Sequence, residues 1–311
     1  MLKKTPENYL LIIAGGIGKN ILATAVVASF KKAKPDANLV IMTAHPIAWQ
    51  GNPEIKAVYD LNNPPPLYQE VLGHKKWTIF RHDPYLTEDF LYRRAHLIDI
   101  WCKLLGVPVS TRQPKVFVTQ EETERAEKLL AESVISESLE SGKGAPPIKK
   151  PVFLIQTSGG APNQKFPISW ARDLPLTTAQ KVVDAMNKKG YQTYQIRNIN
   201  QPALENVTWL NATTREIMAV LPFSDKRLFI DSLPQHAAAA LGLPSVVTWI
   251  INSPKMFGYP LHHNIEANVD ASFRHYPMSY LEKFDITGAI EQCPFDTTEI
   301  FDVEAILKTL L

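Results

Sequence analysis

"LFIDSLPQHAAAALGLPSVVTWI", Leu228 to Ile250, is the stretch that decides how this 311-residue chain is built. Apolar, β-forming residues at 228–230 stop abruptly at Asp231. Ser232, with Gln235 three positions on, reads as a capping box that opens a helix over 233–241, and Gly242 followed by Pro244 closes it. A second apolar run of strand length occupies 246–251. Strand, helix and strand in such close succession make a βαβ unit with parallel strands, because the helix returns the chain to the edge from which it started. The turn at 231–232 therefore lies at the carboxyl end of a strand, where open parallel sheets bind their ligands. It offers a carboxylate (Asp231), a hydroxyl (Ser232) and, one turn into the helix, an imidazole (His236).

The same alternation runs through the rest of the chain. Before it come a strand over 10–14, a helix over 20–32, strands over 39–42, 58–61 and 77–81, and a helix over 89–105. A charged helix follows from 121, and then Ser141-Gly142-Lys143-Gly144-Ala145-Pro146-Pro147, which has the composition of a linker. Beyond it the pattern restarts with a strand over 152–156, a helix over 178–189, a strand over 192–196 and a short helix from 214. The expected architecture is α/β, two doubly wound domains in tandem, residues 1–147 and 148–311.

Composition narrows the class. A hydrophobic fraction of 45% with 21% charged residues is that of a globular chain, and no run approaches the ~18 apolar residues of a membrane span. The start of the chain shows no signal-peptide pattern, so the expected location is cytoplasmic. Cys102 and Cys293 lack any CxxC or Cys/His spacing, which argues against a disulfide framework and a zinc site; both read as buried thiols. The net charge of +2 leans on residues 1–150, where 20 Lys and Arg face 16 Asp and Glu. That is no duplex-binding stripe, although Lys75, Lys76, Arg81, Arg93 and Arg94 could meet an anionic acceptor.

Two further segments are candidates for ligand contact. In "YLLIIAGGIGKN", Tyr9 to Asn20, a P-loop would need glycine where Ile13 stands and Ser or Thr where Asn20 stands, and the dinucleotide fingerprint lacks its third glycine at Ile21. What remains is a strand-to-helix turn in which Gly16 and Gly18 let backbone amides approach an anion, with Lys19 at the helix mouth. A ligand turn and a plain tight turn both fit. In "FLIQTSGGAPNQKFPISWA", Phe153 to Ala171, Thr157, Ser158 and Gly159-Gly160 offer donors to phosphate oxygens and Lys165 adds a point charge. His262-His263 has no third ligand in sequence and reads as surface or capping histidines, so no metal is expected.

Taken together, these segments resemble the heptosyltransferase-like glycosyltransferases, glycosyltransferase family nine, in order along nearly the whole chain. Gly16-Ile17-Gly18-Lys19 stands where that family has a GIGD turn, Ile155-Gln156-Thr157 and Lys165-Phe166-Pro167 match its second-half strand and K-x-[WF]-P element, and 230–244 match its NDSGPMHLAAALGxP segment. The resemblance implies a GT-B fold, two Rossmann-like doubly wound domains facing a central cleft. The C-terminal domain would hold a nucleoside-diphosphate sugar and the N-terminal domain an acceptor such as a lipopolysaccharide-type glycan. Carried over position by position, it implies that Thr157, Ser158 and Lys165 hold the diphosphate, Asp231 accepts sugar hydroxyls, and Ser232 and His236 contact phosphate or sugar. Leu233 and Lys19 depart from the pattern, at a small glycine and at the catalytic aspartate.

The expected reaction is inverting transfer of a hexosyl or heptosyl group, metal-independent and without a cofactor. Lys19 is a cation unless burial or cationic neighbours hold it neutral, so it fits charge neutralisation of diphosphate or acceptor better than proton removal. The base is then sought at other strand ends: Asp83, beside His82 after the strand at 77–81, is the first candidate, and His45 is the second. Two rival expectations stay open, a phage-type enzyme glycosylating a hydroxylated nucleobase in DNA and a non-catalytic nucleotide-sugar-binding homologue.

Overall fold

The computed structural model describes residues 6–73, 75–140, 150–160, 170–270, 272, 293 and 295–311. The chain divides into two compact units, Met1–Phe117 and Val118–Leu311. In the first, strands β1 (Asn8–Ile13), β2 (Asn38–Thr43), β3 (Ala57–Asp60) and β4 (Trp77–Phe80) form a parallel sheet in the order β3-β2-β1-β4. Tyr9, Leu10, Leu11 and Ile13 of β1 are all buried, the mark of a central strand covered on both faces.

Helix α1 (Ile17–Ala33) is buried all round from Lys19 to Phe30, so its apolar stripe is wider than one sheet-facing side. The second side is closed by α3 (Leu97–Leu104) and by the segment after it, where the Ser110 amide donates to Ser29 Oγ and the Lys115 amide to Thr24 Oγ1. The helix expected over 89–105 is two: α2 (Glu88–Leu91) and α3 are separated by Arg93 at φ 53°, a left-handed residue that no helix continues through.

The second unit has a six-stranded parallel sheet of β5 (Val152–Ile155), β6 (Gln192–Ile196), β7 (Thr208–Leu210), β8 (Lys226–Ile230), β9 (Val246–Trp249) and β10 (His263–Glu266). Their order, β10-β9-β8-β5-β6-β7, is that of a doubly wound dinucleotide-type sheet, first to third strands running one way from the centre and fourth to sixth the other. Its helices are α4 (Gln120–Glu140), α5 (Leu176–Lys188), α6 (Thr214–Val220), α7 (Leu233–Ala240), α8 (Pro254–Phe257) and α9 (Val303–Leu310). Leu228, Phe229 and Ile230 in β8 are fully buried, worth about 1.5–3 kcal/mol each.

The units part at Phe117/Val118 rather than at 147/148, a position within residues not described, because α4 belongs with the second unit. Arg215 of α6 grips Glu122 of α4 through Nε to Oε1 at 2.7 Å and Nη2 to Oε2 at 2.5 Å, with both side chains buried. The charged periodicity of α4 carries no signal for that partner. Strands β7 and β10 are also additions to the sequence reading: both are short, and β10 is an edge strand with neither end buried.

Candidate functional site

The winding of the second sheet reverses between β5 and β8, since β5 leads to β6 on one side and β8 to β9 on the other. The carboxyl ends of these two strands border the crevice that such a reversal opens. Gln156, Thr157 and Ser158 leave β5 there, and Asp231 and Ser232 leave β8. Gln156 Nε2 spans the crevice to donate to Ser232 Oγ at 3.3 Å.

Asp231 is the buried centre, 8% exposed. Asn252 Nδ2 donates to its Oδ2 at 2.6 Å, and His236 Nε2 lies 3.9 Å from its Oδ1. Burial pushes the Asp231 carboxyl above the usual range, opposed by the Asn252 bond and the positive charge of Arg172. His236 is held from below: its Nδ1 is 2.8 Å from the Tyr259 hydroxyl, and Gln235 Nε2 approaches the ring at 3.1 Å. Burial, with the negative charge of Asp231, pushes the Tyr259 hydroxyl far up, so Tyr259 is a neutral phenol. His262, whose Nε2 meets the Gln235 carbonyl at 2.9 Å, is pushed down by burial and is neutral as well.

The capping box expected at Ser232 does not form. Ser232 is the N-cap residue of α7 but its side chain caps no amide and accepts from Gln156 instead, while Gln235 is fully buried and turned toward His236 and the Phe257 carbonyl rather than back to the Ser232 amide. Ser232 is partly exposed, and the first turn of α7 holds no acidic residue, so the positive end of the helix dipole stays uncompensated by its own side chains. Among the described residues, the buried Gln156 Oε1, Gln235 Oε1, Asn252 Oδ1 and His262 Nδ1 have no hydrogen-bond partner.

The loop after β5 is more committed than its sequence suggests. Thr157 Oγ1 accepts from Gln195 Nε2 at 3.2 Å, and the Gly159 amide donates to Asp173 Oδ1 at 3.2 Å. Ser158 is buried beside them. Lys165 lies outside the described residues. The cation that does appear at this place is Arg172, whose guanidinium lies where a side chain at Gly159 would stand and whose charge acts on Asp231. Sequence reasoning passed over it, although an arginine just past a polar loop is a signal for an anion.

In the first unit the corresponding reversal is between β1 and β4. The turn after β1 carries Lys19 and the turn after β4 carries Asp83, and the two meet: Lys19 Nζ donates to Asp83 Oδ1 at 3.0 Å. Lys19 does not stand open at the helix mouth, because Nζ also lies 4.3 Å from the Tyr85 ring centroid and 5.4 Å from that of Trp101, and its side chain is 4% exposed. Gly15, at φ 101°, makes this fold-back possible; a Cβ there would sit 3.1 Å from Lys19 Cδ. Gly16 is the N-cap of α1 and Gly18 lies in its first turn. Asp83 also accepts from the Tyr85 amide at 3.1 Å, which fixes its orientation. His45 follows β2; burial pushes its imidazole down, opposed by Asp60, and leaves it neutral.

Among the described residues no three His, Cys, Asp or Glu side chains group as a metal site, and no helix is long and apolar enough to cross a membrane. Of the basic set in the first unit, Arg94 is engaged with Glu88 and stacks on Tyr92.

No protein-family profile matches the sequence, and no curated protein matches it either. Solved structures do match the fold. A glycosyl transferase of family 9 from Veillonella parvula superposes with a TM-score of 0.63 at 14% identity, covering 97% of this chain and 95% of that one. The E. coli ADP-heptose lipopolysaccharide heptosyltransferase II gives 0.56 at 13%, over 85% and 91%. The iron-containing dodecameric heptosyltransferase TibC, of enterotoxigenic E. coli and solved with ADP-D-β-D-heptose, gives 0.66 at 13%, over 99% and 76%. The chain therefore has the fold of these GT-B glycosyltransferases.

Proposed function

We propose that the protein is an inverting, metal-independent glycosyltransferase that moves a sugar from a nucleoside-diphosphate sugar to a hydroxyl of a glycan acceptor. The carrying observation is the buried Asp231 carboxylate at the reversal of the second sheet, beside Ser232 and the uncapped start of α7. Carboxylate and amide carbonyl oxygens accept from sugar hydroxyls, while the helix start, the Ser232 hydroxyl and Arg172 suit a diphosphate. The solved neighbours support the class of reaction, since they include heptosyltransferases and one bound to ADP-heptose.

A single displacement at the anomeric carbon inverts its configuration and builds oxocarbenium character in the transition state, by analogy with glycoside hydrolysis. It needs an acceptor oxygen in line, a base for its proton, and groups that stabilise the departing diphosphate. Asp83, oriented by Lys19 and the Tyr85 amide, is the proposed base, with neutral His45 second. Arg172 and Ser232 are the proposed leaving-group partners. The same Lys19–Asp83 contact favours one other reading, donor binding without transfer, because a carboxylate engaged by a lysine is a weaker proton acceptor.

A thermal-shift panel of ADP-, GDP-, UDP- and CDP-sugars tests the donor site: one nucleotide class should raise the melting temperature, and Asp231→Ala should abolish the rise. Full retention of the shift in Asp231→Ala sinks the donor assignment. Release of nucleoside diphosphate in the presence of a glycan acceptor, unchanged by a chelator and lost in Asp83→Asn, separates transfer from binding alone.

A further inference from the structure

Asp231 is flanked from both neighbouring strands by an amide side chain, Gln156 after β5 and Asn252 beyond β9. Each spends its nitrogen on the centre of the site. Gln156 donates to Ser232 Oγ and Asn252 donates to Asp231 Oδ2. Each amide oxygen is then left buried without a partner, in residues 7% and 2% exposed. Gln235 Oε1, on the first turn of α7, is a third such oxygen.

The Asp231 carboxylate and each of these amide oxygens can only accept hydrogen bonds. A diphosphate brings lone pairs alone and gains nothing there. Hydroxyl groups bring one donated proton each. Ser232 stands partly exposed beside Gln156, and its rotatable hydroxyl can exchange the Gln156 amide for a ligand.

Resting on the proposed transfer reaction, we infer that Gln156 and Asn252 are specificity residues, whose amide oxygens accept from hydroxyls of the sugar in the donor and distinguish the sugar nucleotide from the bare nucleotide. Their part is played in the ground state, so they select the sugar without touching the proton transfer.

Isothermal titration with ADP and ADP-glucose, UDP and UDP-glucose, and GDP and GDP-mannose reads the distinction directly. Wild type should bind at least one sugar nucleotide more tightly than its nucleoside diphosphate. Gln156→Leu and Asn252→Leu should each weaken the sugar nucleotide roughly tenfold, the loss of one hydrogen bond to a buried site, and leave the bare nucleotide within about twofold. Gln156→Glu keeps an acceptor oxygen and should keep the preference. Equal weakening of both ligands, or an unchanged preference in the leucine variants, overturns the inference; the latter is the result expected when a buried water alone satisfies the oxygens. Wild type that binds none of the six ligands overturns the transfer reaction as well. If Asn252→Leu does not fold, Gln156→Leu against Gln156→Glu decides.

Discussion

Replacing Lys19 by methionine removes a charge and keeps most of a side chain. Breaking a fully buried ion pair from one side costs about 3–5 kcal/mol, because the remaining charge is stranded. Here the Asp83 side chain keeps 18% exposure and its Tyr85 amide bond, so it recovers part of its hydration and the loss falls to about 2 kcal/mol. The cation over the Tyr85 and Trp101 rings adds roughly 0.5–1 kcal/mol, of which a thioether against aromatic rings returns a share. The expected loss in urea unfolding, followed by tryptophan fluorescence, is about 2–3 kcal/mol with little change in the denaturant slope. A double-mutant cycle with Asp83→Asn isolates the pair, and its coupling should be about 1.5–2 kcal/mol. A coupling below ~0.5 kcal/mol is the value of a solvent-screened surface pair and would refute the claim that Lys19 is locked inside the first unit.

Gly15→Ala should cost about 1–2 kcal/mol in the same assay, since it forces a Cβ onto a φ of 101° and toward Lys19 Cδ, whereas Gly16→Ala, at φ −71° with open space around it, should cost less, about 0.5 kcal/mol for the poorer N-cap. Glu122 is held at about 2 against a usual 4.5, chiefly by its hydrogen bond to Arg215. A depressed carboxylate contributes stability that is complete above its unfolded value and lost as pH falls through the folded one, so wild type should lose stability from about pH 4.5 down to about 2, and Glu122→Gln should flatten the slope of that window. Cys102 is fully buried and its thiol is pushed up to about 11 by burial, so at pH 8 it should react with a thiol reagent only after unfolding; rapid labelling in the native protein would contradict its place in the core.

Local patterns carried the parts of this protein that depend on near neighbours in sequence. The βαβ unit at 228–250 was legible because apolar runs, a proline-glycine stop and the abrupt Asp231 lie within one short segment, and the position of Asp231 at a strand end follows from them alone. The glycines at 15–18 were legible as a tight strand-to-helix turn, and the structure adds why one of them is needed, to let Lys19 fold back over the end of β1.

The sequence by itself determined that two parallel, doubly wound sheets follow one another and that polar turns sit at their carboxyl edges, because periodicity and stop signals act over a few residues. Only the tertiary structure decided what those turns hold. Lys19 finds Asp83 64 positions away and Gln156 finds Ser232 76 positions away, and Arg215 recruits α4 across the expected linker. Such pairings are set by strand order and by the high cost of leaving a buried charge or amide alone, and neither strand order nor burial is written in the spacing of residues along the chain.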